Sequence, residues 1–400
     1  MSERQRVAVI YGGVSGEHEV SVRSARSVAS ALEEAGYEVV RIYIDKGGTW
    51  RLGGEDGRPV LQPRGRLLLG CGDSHPPAEG PPAKDRSRQR ATSSLERPGV
   101  GDDALTEAGG QGVGAPRFDV VFPVLHGTLG EDGTLQGLLE IAEIPYVGSG
   151  VLGSAVGMDK IVMKRLFLQA GLPVADFVEA TRRGIAADPE GVAVLVEECL
   201  GYPCFVKPAN LGSSVGISKA WERQQLLAGL STAARYDRRV IAEKGIDARE
   251  IEVSVLGNDE PVASVAGEVI PGREFYDYAA KYEDAGSDSV IPANLDRAAS
   301  DAVRQMAVEA FKVLDLAGMA RVDFLLDRRS GVMYVNEVNT IPGFTDISMY
   351  ARLWEATGMT FAELVDRLVG LAWERYAERQ ASLAAVRGGG ERPREVGGGR

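Results

Sequence analysis

Apolar residues in the first part of the chain form short continuous runs that alternate with runs at helical spacing. Residues 7–11 are apolar and end at two glycines, which predicts a buried strand followed by a tight turn. Residues 22–32 carry apolar side chains at helical spacing, and Ser21 before them is a suitable N-cap. Residues 38–44 predict a second strand. A strand, a helix and a strand in this order predict a parallel sheet with covering helices.

The same patterns resume after residue 117 and predict a mixed fold. Predicted helices cover residues 134–143, 158–170, 222–235, 297–314 and 361–378. Predicted strands cover residues 118–125, 204–206, 239–243, 250–256, 262–270, 320–326 and 333–338. Because several of the later strands follow one another with few helices between them, we expect an antiparallel sheet in that part of the chain.

Three segments lack these patterns. Residues 70–117 are rich in Pro, Gly, Ser, Arg and Asp and bury too little apolar surface to offset the entropy of ordering, so we predict a disordered insertion. Residues 272–290 form a long polar loop, and loops of that length often serve as active-site lids. Residues 380–400 contain repeated Gly and Arg and predict a disordered tail.

Composition and charge argue against several classes of protein. The chain of 400 residues has a formal net charge of −12, whereas nucleic-acid-binding proteins normally carry a basic surface. Its three cysteines lack the spacing of a zinc site, and so sparse a count fits a reducing cytoplasm. The sequence contains neither a signal peptide nor an apolar run long enough to span a bilayer. We therefore expect a cytoplasmic protein that binds neither nucleic acid nor membrane.

Two late strands collect hard oxygen ligands. Glu337 and Asn339 are two residues apart, so they project from the same face of one predicted strand. Asp323 lies on the preceding strand. Oxygen ligands of this kind suit Mg²⁺, which completes its shell with substrate phosphates. Taken alone, the pattern fits the solvated face of an antiparallel sheet equally well.

Two lysines and two glycine-rich segments are compatible with phosphate binding. Lys207 follows an apolar strand and precedes residues 212–216, Gly-Ser-Ser-Val-Gly, whose N–H groups and hydroxyls can meet a phosphate. This segment lacks the ending of a Walker A loop. Lys160 lies in the first turn of a predicted helix. Residues 12–16 follow the first strand, but their glycine spacing departs from the dinucleotide-binding fingerprint.

Several separate blocks together resemble the D-alanine–D-alanine ligases of the ATP-grasp superfamily. The resemblance covers almost the whole chain apart from the insertion and the tail. It rests on the residues GGVSGEHEVS at 12–21, LHG at 125–127, GEDGTLQG at 130–137, MDK at 158–160, VKP at 206–208, GSSVG at 212–216, FYDY at 275–278, KY at 281–282, NEVNT at 336–340 and PG at 342–343.

The resemblance implies an α/β and α+β fold of three domains, with a parallel-sheet domain before the two ATP-grasp subdomains. The domains would span residues 1–148, 149–242 and 243–379, the last carrying the lid loop. It also implies the reaction. One D-alanine attacks ATP to form a D-alanyl phosphate, and the amine of a second D-alanine captures it. The products would be ADP, phosphate and D-alanyl-D-alanine, a peptidoglycan precursor.

Roles of individual residues follow from the same resemblance. The ATP-binding residues would be Lys160, Lys207, Ser213, Ser214, Glu243, Lys244, Ile246 and Glu250. Two Mg²⁺ or Mn²⁺ ions would be held by Asp323, Glu337 and Asn339. The catalytic and substrate-binding residues would be Glu17, His126, Ser213, Lys281, Tyr282, Arg321, Gly343 and Ser348. Within this set, Arg321 and the Gly343 N–H would stabilise the tetrahedral intermediate, and Glu17 would hold the first D-alanine. A homodimer is the family expectation.

Alternatives of other classes remain at this level. A dinucleotide-dependent oxidoreductase would use the N-terminal sheet, although the glycine spacing argues against it. A nucleotide-binding protein without catalysis would not need all three metal ligands. A ligase that forms an ester with a hydroxy acid would share the ATP chemistry. Residues 275–282 match the lid of the dipeptide-forming members, so we expect D-alanine to be the preferred acceptor.

Overall fold

The computed structural model describes residues 4–56, 58–61, 118–212, 215–270 and 288–388. All of these described residues belong to one compact unit of the chain. The predicted insertion, most of the predicted lid loop and residues 389–400 lie outside the described ranges.

The N-terminal sheet is parallel at its centre, as predicted. Its strand order is β4-β3-β2-β1-β5, and β1 pairs in parallel with both β2 and β5. The pairs β2–β3 and β3–β4 are antiparallel and were not predicted. The strands are β1 (Arg6–Gly12), β2 (Glu38–Ile44), β3 (Trp50–Leu52), β4 (Arg58–Leu61) and β5 (Val120–Val124).

A second sheet is antiparallel and has the order β6-β9-β7-β8. Its strands are β6 (Phe177–Thr181), β7 (Cys204–Pro208), β8 (Ser218–Ala220) and β9 (Arg239–Lys244). Buried apolar residues of these strands share a core with the neighbouring helices. Those helices are α5 (Arg182–Ala187), α6 (Pro189–Cys199) and α7 (Arg223–Tyr236), of which only α7 was predicted.

The third sheet is antiparallel throughout, which confirms the prediction for the later strands. Its order is β12-β11-β10-β13-β14. The strands are β10 (Ala248–Gly257), β11 (Val262–Ile270), β12 (Asp288–Val290), β13 (Gly318–Asp327) and β14 (Met333–Asn339). Strand β12 occupies the last residues of the predicted lid loop, so the loop prediction was wrong there. Helix α8 (Arg297–Val313) covers the face that carries Ile251 and Val253.

The remaining helices connect these sheets. They are α1 (His18–Glu34), α2 (Thr134–Ile141), α3 (Val151–Met158), α4 (Lys160–Gln169), α9 (Met349–Thr357) and α10 (Phe361–Gly388). The predicted helix over residues 158–170 is interrupted at Asp159, which is extended and caps α4 by accepting a hydrogen bond from Val162 N at 3.0 Å. Residues before this cap form α3, which was not predicted. None of the described helices is both long and apolar enough to cross a membrane.

Ser21 does not cap the first helix, contrary to the prediction. Helix α1 begins at His18, and Ser21 is fully buried within it. The Ser21 hydroxyl accepts a hydrogen bond from Gly12 N at 2.7 Å and donates one to Val124 O. It therefore joins the carboxyl ends of β1 and β5. The sequence pattern favoured capping because a serine before an apolar run is also typical of a helix start.

The last helix is longer than predicted and belongs to the core of the first sheet. Helix α10 continues to Gly388, so the prediction of disorder over 380–388 was wrong. Its buried Leu364 and Leu368 share one apolar core with Val7 and Phe122. Its later turns are fixed by arginines: Arg375 stacks on the Tyr146 ring at 4.1 Å, and Arg379 pairs with Glu140.

Candidate active site

The predicted metal ligands lie side by side on two neighbouring strands. In the β13–β14 register, Asp323 lies opposite Glu337 and Arg321 lies opposite Asn339. Paired residues of an antiparallel ladder project from the same face, so these four side chains form one patch. The prediction that the three ligands share a face is therefore confirmed. Two carboxylates directly opposite each other repel, which makes this patch a favourable place for a cation.

Arg321 and Asn339 both bind Asp323. Arg321 donates from Nε and Nη2 to the two carboxylate oxygens, at 2.7 and 2.8 Å. Asn339 donates from Nδ2 to Asp323 Oδ2 at 2.9 Å. Arg321 Nε also lies 3.0 Å from Glu252 Oε2, on the next strand β10. The guanidinium is thus held against two carboxylates at the wall of the cleft.

A buried ion-pair cluster joins the second sheet to the third. Glu243 on β9 accepts Lys164 Nζ at 2.9 Å and Lys207 Nζ at 2.5 Å. Lys164, on α4, also donates to the backbone carbonyl of Asn336 on β14 at 3.1 Å. Burial alone would raise the pKa of Glu243, but the ammonium groups of Lys164 and Lys207 lower it to about 2. Glu243 is therefore ionised at neutral pH.

Lys160 approaches the same region from the first residue of α4. Its Nζ donates to Leu211 O at 2.8 Å, next to the glycine-rich segment. Burial lowers the pKa of Lys160, an effect that the carboxylate of Glu337 opposes and the ammonium of Lys207 reinforces. The pKa of Lys207 moves the other way: burial lowers it, and the carboxylates of Glu243 and Glu337 more than compensate. The two lysines thus supply positive charge beside the metal-ligand patch.

The cleft itself has an empty volume of about 790 Å³. Seven of the predicted site residues line it: Glu17, His126, Lys160, Arg321, Glu337, Asn339 and Gly343. They come from separate parts of the chain that the fold brings together. A cleft lined by acidic and basic groups from several elements is the usual form of an enzyme active site.

Glu17 and His126 lie where the N-terminal sheet meets the third sheet. Glu17 is buried at the start of α1. His126 follows β5, and its Nδ1 is 2.9 Å from the carbonyl oxygen of Ile341. A Cβ added to Gly212 would be 3.8 Å from a Glu17 carboxylate oxygen, so the glycine-rich segment starts directly beside this carboxylate. Helix α1, β5 and this segment therefore meet at one end of the cleft.

Gly343 and Ser348 lie at the entrance of α9. A Cβ on Gly343 would be 3.4 Å from Ser348 Oγ, so the two predicted residues are neighbours. Ser348 Oγ is 2.7 Å from Thr345 Oγ1 and accepts a hydrogen bond from Thr345 N at 3.0 Å. These contacts fix the turn after Pro342 and leave Gly343 at the cleft wall.

Four of the predicted ATP-binding residues, Glu243, Lys244, Ile246 and Glu250, do not line this cleft. Lys244 is about half exposed, with Nζ 3.7 Å from Asp176 Oδ2. Ile246 lies in the turn between β9 and β10, and Glu250 lies on β10, on the face that also carries Glu252. The Glu243 carboxylate is engaged by the two lysines. The assignment of Glu243, Lys244, Ile246 and Glu250 to ATP binding stays a prediction.

Four further predicted residues cannot be compared with the structure. Ser213, Ser214, Lys281 and Tyr282 lie outside the described residues. Their assigned roles in phosphate binding and lid closure stay predictions.

Three residues of the site were missed. Lys164 lies four positions after Lys160, so both lysines project from one face of α4, a signal that was available in the sequence. Glu131 accepts a hydrogen bond from Gly127 N at 2.6 Å and lines the cleft. Glu252 lies opposite Asp323 in the β10–β13 register, which no local pattern reveals.

The donor set fits a divalent cation that is shared with a phosphate ligand. Asp323, Glu337 and Asn339 offer carboxylate and amide oxygens from adjacent positions, and Lys160 adds positive charge for the phosphates. Among the residues that the structure describes, no group of three or more His, Cys, Asp and Glu side chains is arranged as a metal site.

Comparisons with known proteins agree with the family that the sequence resembles. Family models described as "D-ala D-ala ligase N-terminus" and "D-ala D-ala ligase C-terminus" match residues 6–149 and 166–370. A D-alanine–D-alanine ligase of Heliobacterium modesticaldum is 49% identical over 380 residues, covering 94% of this chain and 97% of the relative. One of Geobacillus kaustophilus is 46% identical over 377 residues, covering 94% and 97%.

Two solved structures have the same fold. The D-alanine–D-alanine ligase of Coxiella burnetii is similar with a TM-score of 0.73 and 31% identity, covering 96% of this chain and 99% of the other. The VanG D-Ala:D-Ser ligase of Enterococcus faecalis has a TM-score of 0.72 and 32% identity, covering 92% and 100%. These likenesses confirm the fold class predicted from the sequence.

Proposed function

This chain belongs to the D-alanine–D-alanine ligase family of ATP-dependent ligases, and on that basis we propose that it joins two D-alanine molecules at the expense of ATP. The observation that carries the proposal is the patch of Arg321, Asp323, Glu337 and Asn339, of which Arg321, Glu337 and Asn339 line one cleft together with Glu17 and Lys160. In such a cleft the Glu17 carboxylate can bind an ammonium group and Lys160 can bind phosphates.

The phosphates of ATP would meet Lys160 and Lys207, with Ser213 and Ser214 beside them. Phosphoryl transfer requires mainly that the charge on the transferred group be neutralised and held in line. The ion pair with Glu243 keeps Lys207 charged. It also directs the Lys207 side chain from β7 towards β9, on the side of the cleft where Lys160 begins α4. We assign adenine to Glu243, Lys244 and Ile246, and ribose to Glu250.

Asp323, Glu337 and Asn339 would hold two Mg²⁺ or Mn²⁺ ions. When bound, these ions neutralise charge on the phosphates and orient them. The contact between Asn339 and Asp323 keeps the amide and the carboxylate side by side, so both face the same position in the cleft.

The first D-alanine would lie between Glu17 and His126, with its ammonium on the Glu17 carboxylate. Its carboxylate attacks the γ-phosphate of ATP and gives D-alanyl phosphate and ADP. The amine of the second D-alanine then attacks the carbonyl carbon, with its carboxylate held at Ser348. Arg321 and the Gly343 N–H stabilise the oxyanion of the tetrahedral intermediate, which expels phosphate. Ser213, Lys281 and Tyr282 would close the site and exclude water from the acyl phosphate.

The test is phosphate release from ATP and Mg²⁺ across a panel of D- and L-amino acids, with the products identified by mass spectrometry. We expect release to require D-alanine and to yield D-alanyl-D-alanine. Glu17→Gln should raise the KM for D-alanine, since it removes the charge that pairs with the ammonium. Glu19→Gln is the matched control, because Glu19 is exposed and pairs with Lys46 at 2.8 Å. Phosphate release that does not depend on D-alanine would overturn the proposal.

The acceptor deserves its own measurement because one of the similar structures is named as a D-Ala:D-Ser ligase. We propose D-alanine as the acceptor, in keeping with the names of the sequence relatives. Supplying D-alanine, D-serine and D-lactate together and comparing the products tests this choice. A dominant D-serine or D-lactate product would overturn it while leaving the ATP chemistry intact.

We further propose that the enzyme acts in the cytoplasm, where ATP is available, and supplies the dipeptide to peptidoglycan synthesis. Its described cysteines, Cys199 and Cys204, are free thiols.

We also propose a homodimer. Ile141 on α2 is 86% exposed and Leu152 on the adjoining α3 is 59% exposed, and a second copy would cover such residues. Sedimentation of the native protein and of Ile141→Glu tests this, and a monomeric native protein would refute it.

A further inference from the structure

Glu252 extends the metal-ligand patch to a third strand. In register, Glu252 on β10 lies opposite Asp323 on β13, which lies opposite Glu337 on β14. Three carboxylates thus cross three neighbouring strands in one row. The next row contains Ser254, Arg321 and Asn339. Arg321, in this second row, contacts two of the three carboxylates, Asp323 and Glu252.

The Arg321 guanidinium is divided between two carboxylates. Its Nε and Nη2 donate to Asp323 at 2.7 and 2.8 Å, a side-on bidentate contact. Its Nε also lies 3.0 Å from Glu252 Oε2. Both acid side chains are nearly buried, with 13% and 12% of their surface exposed. In such surroundings the position of the guanidinium depends on which carboxylate holds it.

Binding of a divalent cation at Asp323 changes this division. The cation would compete with Arg321 for the same two oxygens and would repel the guanidinium. Arg321 must nevertheless remain in the cleft, because its proposed role is to stabilise an oxyanion there. Glu252 is the second carboxylate in contact with the guanidinium, and it lies on the side of Asp323 away from Glu337.

We propose that Glu252 is a positioning residue that retains Arg321 in the active site when Mg²⁺ occupies Asp323. This inference rests on the proposed function. Glu252 thereby couples cation binding to the placement of the oxyanion donor. Without it, Arg321 depends more on Asp323 as an anionic partner and competes with Mg²⁺ more strongly.

The matched control lies on the opposite face of the same sheet. Glu268 on β11 binds Arg249 through Nε at 2.8 Å and Nη2 at 2.7 Å, and its side chain is also 12% exposed. Glu268 lies opposite Ile251, whose side chain faces α8 rather than the cleft. Glu268→Gln therefore removes an equally buried carboxylate that also pairs with an arginine, without touching the site.

The experiment measures Mg²⁺ binding by calorimetry in the presence of ADP, together with kcat and KM. Glu252→Gln should weaken Mg²⁺ binding by roughly threefold to a hundredfold, the usual range of coupling between contacting residues. It should lower kcat more than it changes the KM for D-alanine. Glu268→Gln should leave Mg²⁺ affinity and kcat near the wild-type values.

A double-mutant cycle separates this mechanism from simple loss of a nearby negative charge. In an Arg321→Met background, Glu252→Gln should change Mg²⁺ affinity by less than about twofold, because the competing cation is gone. An equal loss of affinity in both backgrounds would overturn the proposal, as would wild-type affinity in Glu252→Gln. If Glu252→Gln does not fold, Glu252→Asp retains the charge but withdraws the carboxylate by one methylene, and the same outcomes apply.

The same measurements distinguish failure of the proposed function from failure of the role of Glu252. A wild-type protein that does not release phosphate with D-alanine would refute the proposed function, whatever Glu252 does. A wild-type protein that turns over D-alanine, with no effect of Glu252→Gln on Mg²⁺ affinity, would refute only the role of Glu252.

Discussion

Replacement of Lys164 by Met tests whether the buried ion-pair cluster holds the two sides of the cleft together. Lys164 is 1% exposed and contacts Glu243 on one sheet and the carbonyl of Asn336 on another. Methionine has a similar length and can occupy the same space, but it provides neither the charge nor the hydrogen bond. The change therefore isolates the electrostatic contribution from the packing.

The expected loss in the free energy of unfolding depends on which charges remain around Glu243 after Lys164 is replaced. Removing one partner of a buried ion pair typically costs about 3–5 kcal/mol, because the other charge stays buried without compensation. Here Lys207 remains 2.5 Å from Glu243 and still neutralises it. We therefore expect the lower end, a loss of about 3 kcal/mol in the free energy of unfolding.

Function should suffer through Lys207. With Lys164 absent, Lys207 is the ammonium that remains paired with Glu243 among the residues that the structure describes, and it becomes less able to leave Glu243 for a phosphate. We expect the KM for ATP to rise by about tenfold, equivalent to about 1.4 kcal/mol of binding free energy. The KM for D-alanine should change little, because Glu17 and His126 lie at the other end of the cleft.

The stability of the variant should also depend less on acid than that of the wild type. The pKa of Glu243 is about 2, below its ordinary value of 4.5. A lowered carboxylate pKa stabilises the fold above pH 4.5, and this contribution is lost as the pH falls towards 2. In Lys164→Met the pKa of Glu243 lies closer to 4.5, so the loss is complete at a higher pH.

The assays are urea unfolding between pH 3 and pH 7 and ATP kinetics at neutral pH. Arg165→Met is the matched control: the neighbouring side chain is 61% exposed and pairs with Glu179 at 2.7 Å, a kind of contact worth at most about 1 kcal/mol. Equal effects of the two substitutions on stability and on the KM for ATP would refute the reasoning.

Three further predictions concern the cleft. Glu337→Gln should nearly abolish turnover while leaving the thermal midpoint within a few degrees, and wild-type kinetics at saturating Mg²⁺ would contradict the metal assignment. Ser21→Ala leaves Gly12 N and Val124 O without their buried partner, so urea unfolding should show a loss of about 1–3 kcal/mol; an unchanged midpoint would argue against this link. Tyr282→Phe should raise the ester fraction when D-alanine and D-lactate compete, and an unchanged product ratio would count against lid closure by this hydroxyl.

The sequence was sufficient for the metal-ligand face because that face depends on a local rule. Glu337 and Asn339 alternate along one strand, and the pairing with Asp323 required only that two successive strands form a hairpin. Strands and helices with strong periodicity were located to within a few residues. Helix α3 was missed because its small residues, including Gly153 and Gly157, give no amphipathic pattern.

Other features depend on contacts between distant segments and have no local signal. The position of Glu252 beside Arg321 follows from the register between β10 and β13. These two strands lie far apart in the sequence, and the hydrophobic pattern alone constrains their register only loosely. Ser21 looks like a cap in sequence, and only the approach of β5 shows that its hydroxyl serves two strands instead. The extension of α10 depends on Arg379 meeting Glu140, which lies on another helix.

The packing of α10 determines when the first sheet can finish folding during synthesis. Leu364 and Leu368 complete a core whose other side is formed by Val7 and Phe122, from strands that are synthesised well before α10. The first sheet must therefore wait, with part of its apolar face uncovered, until α10 has been synthesised. A nascent chain halted after the first sheet would expose that face, which makes it a natural target for chaperones during translation.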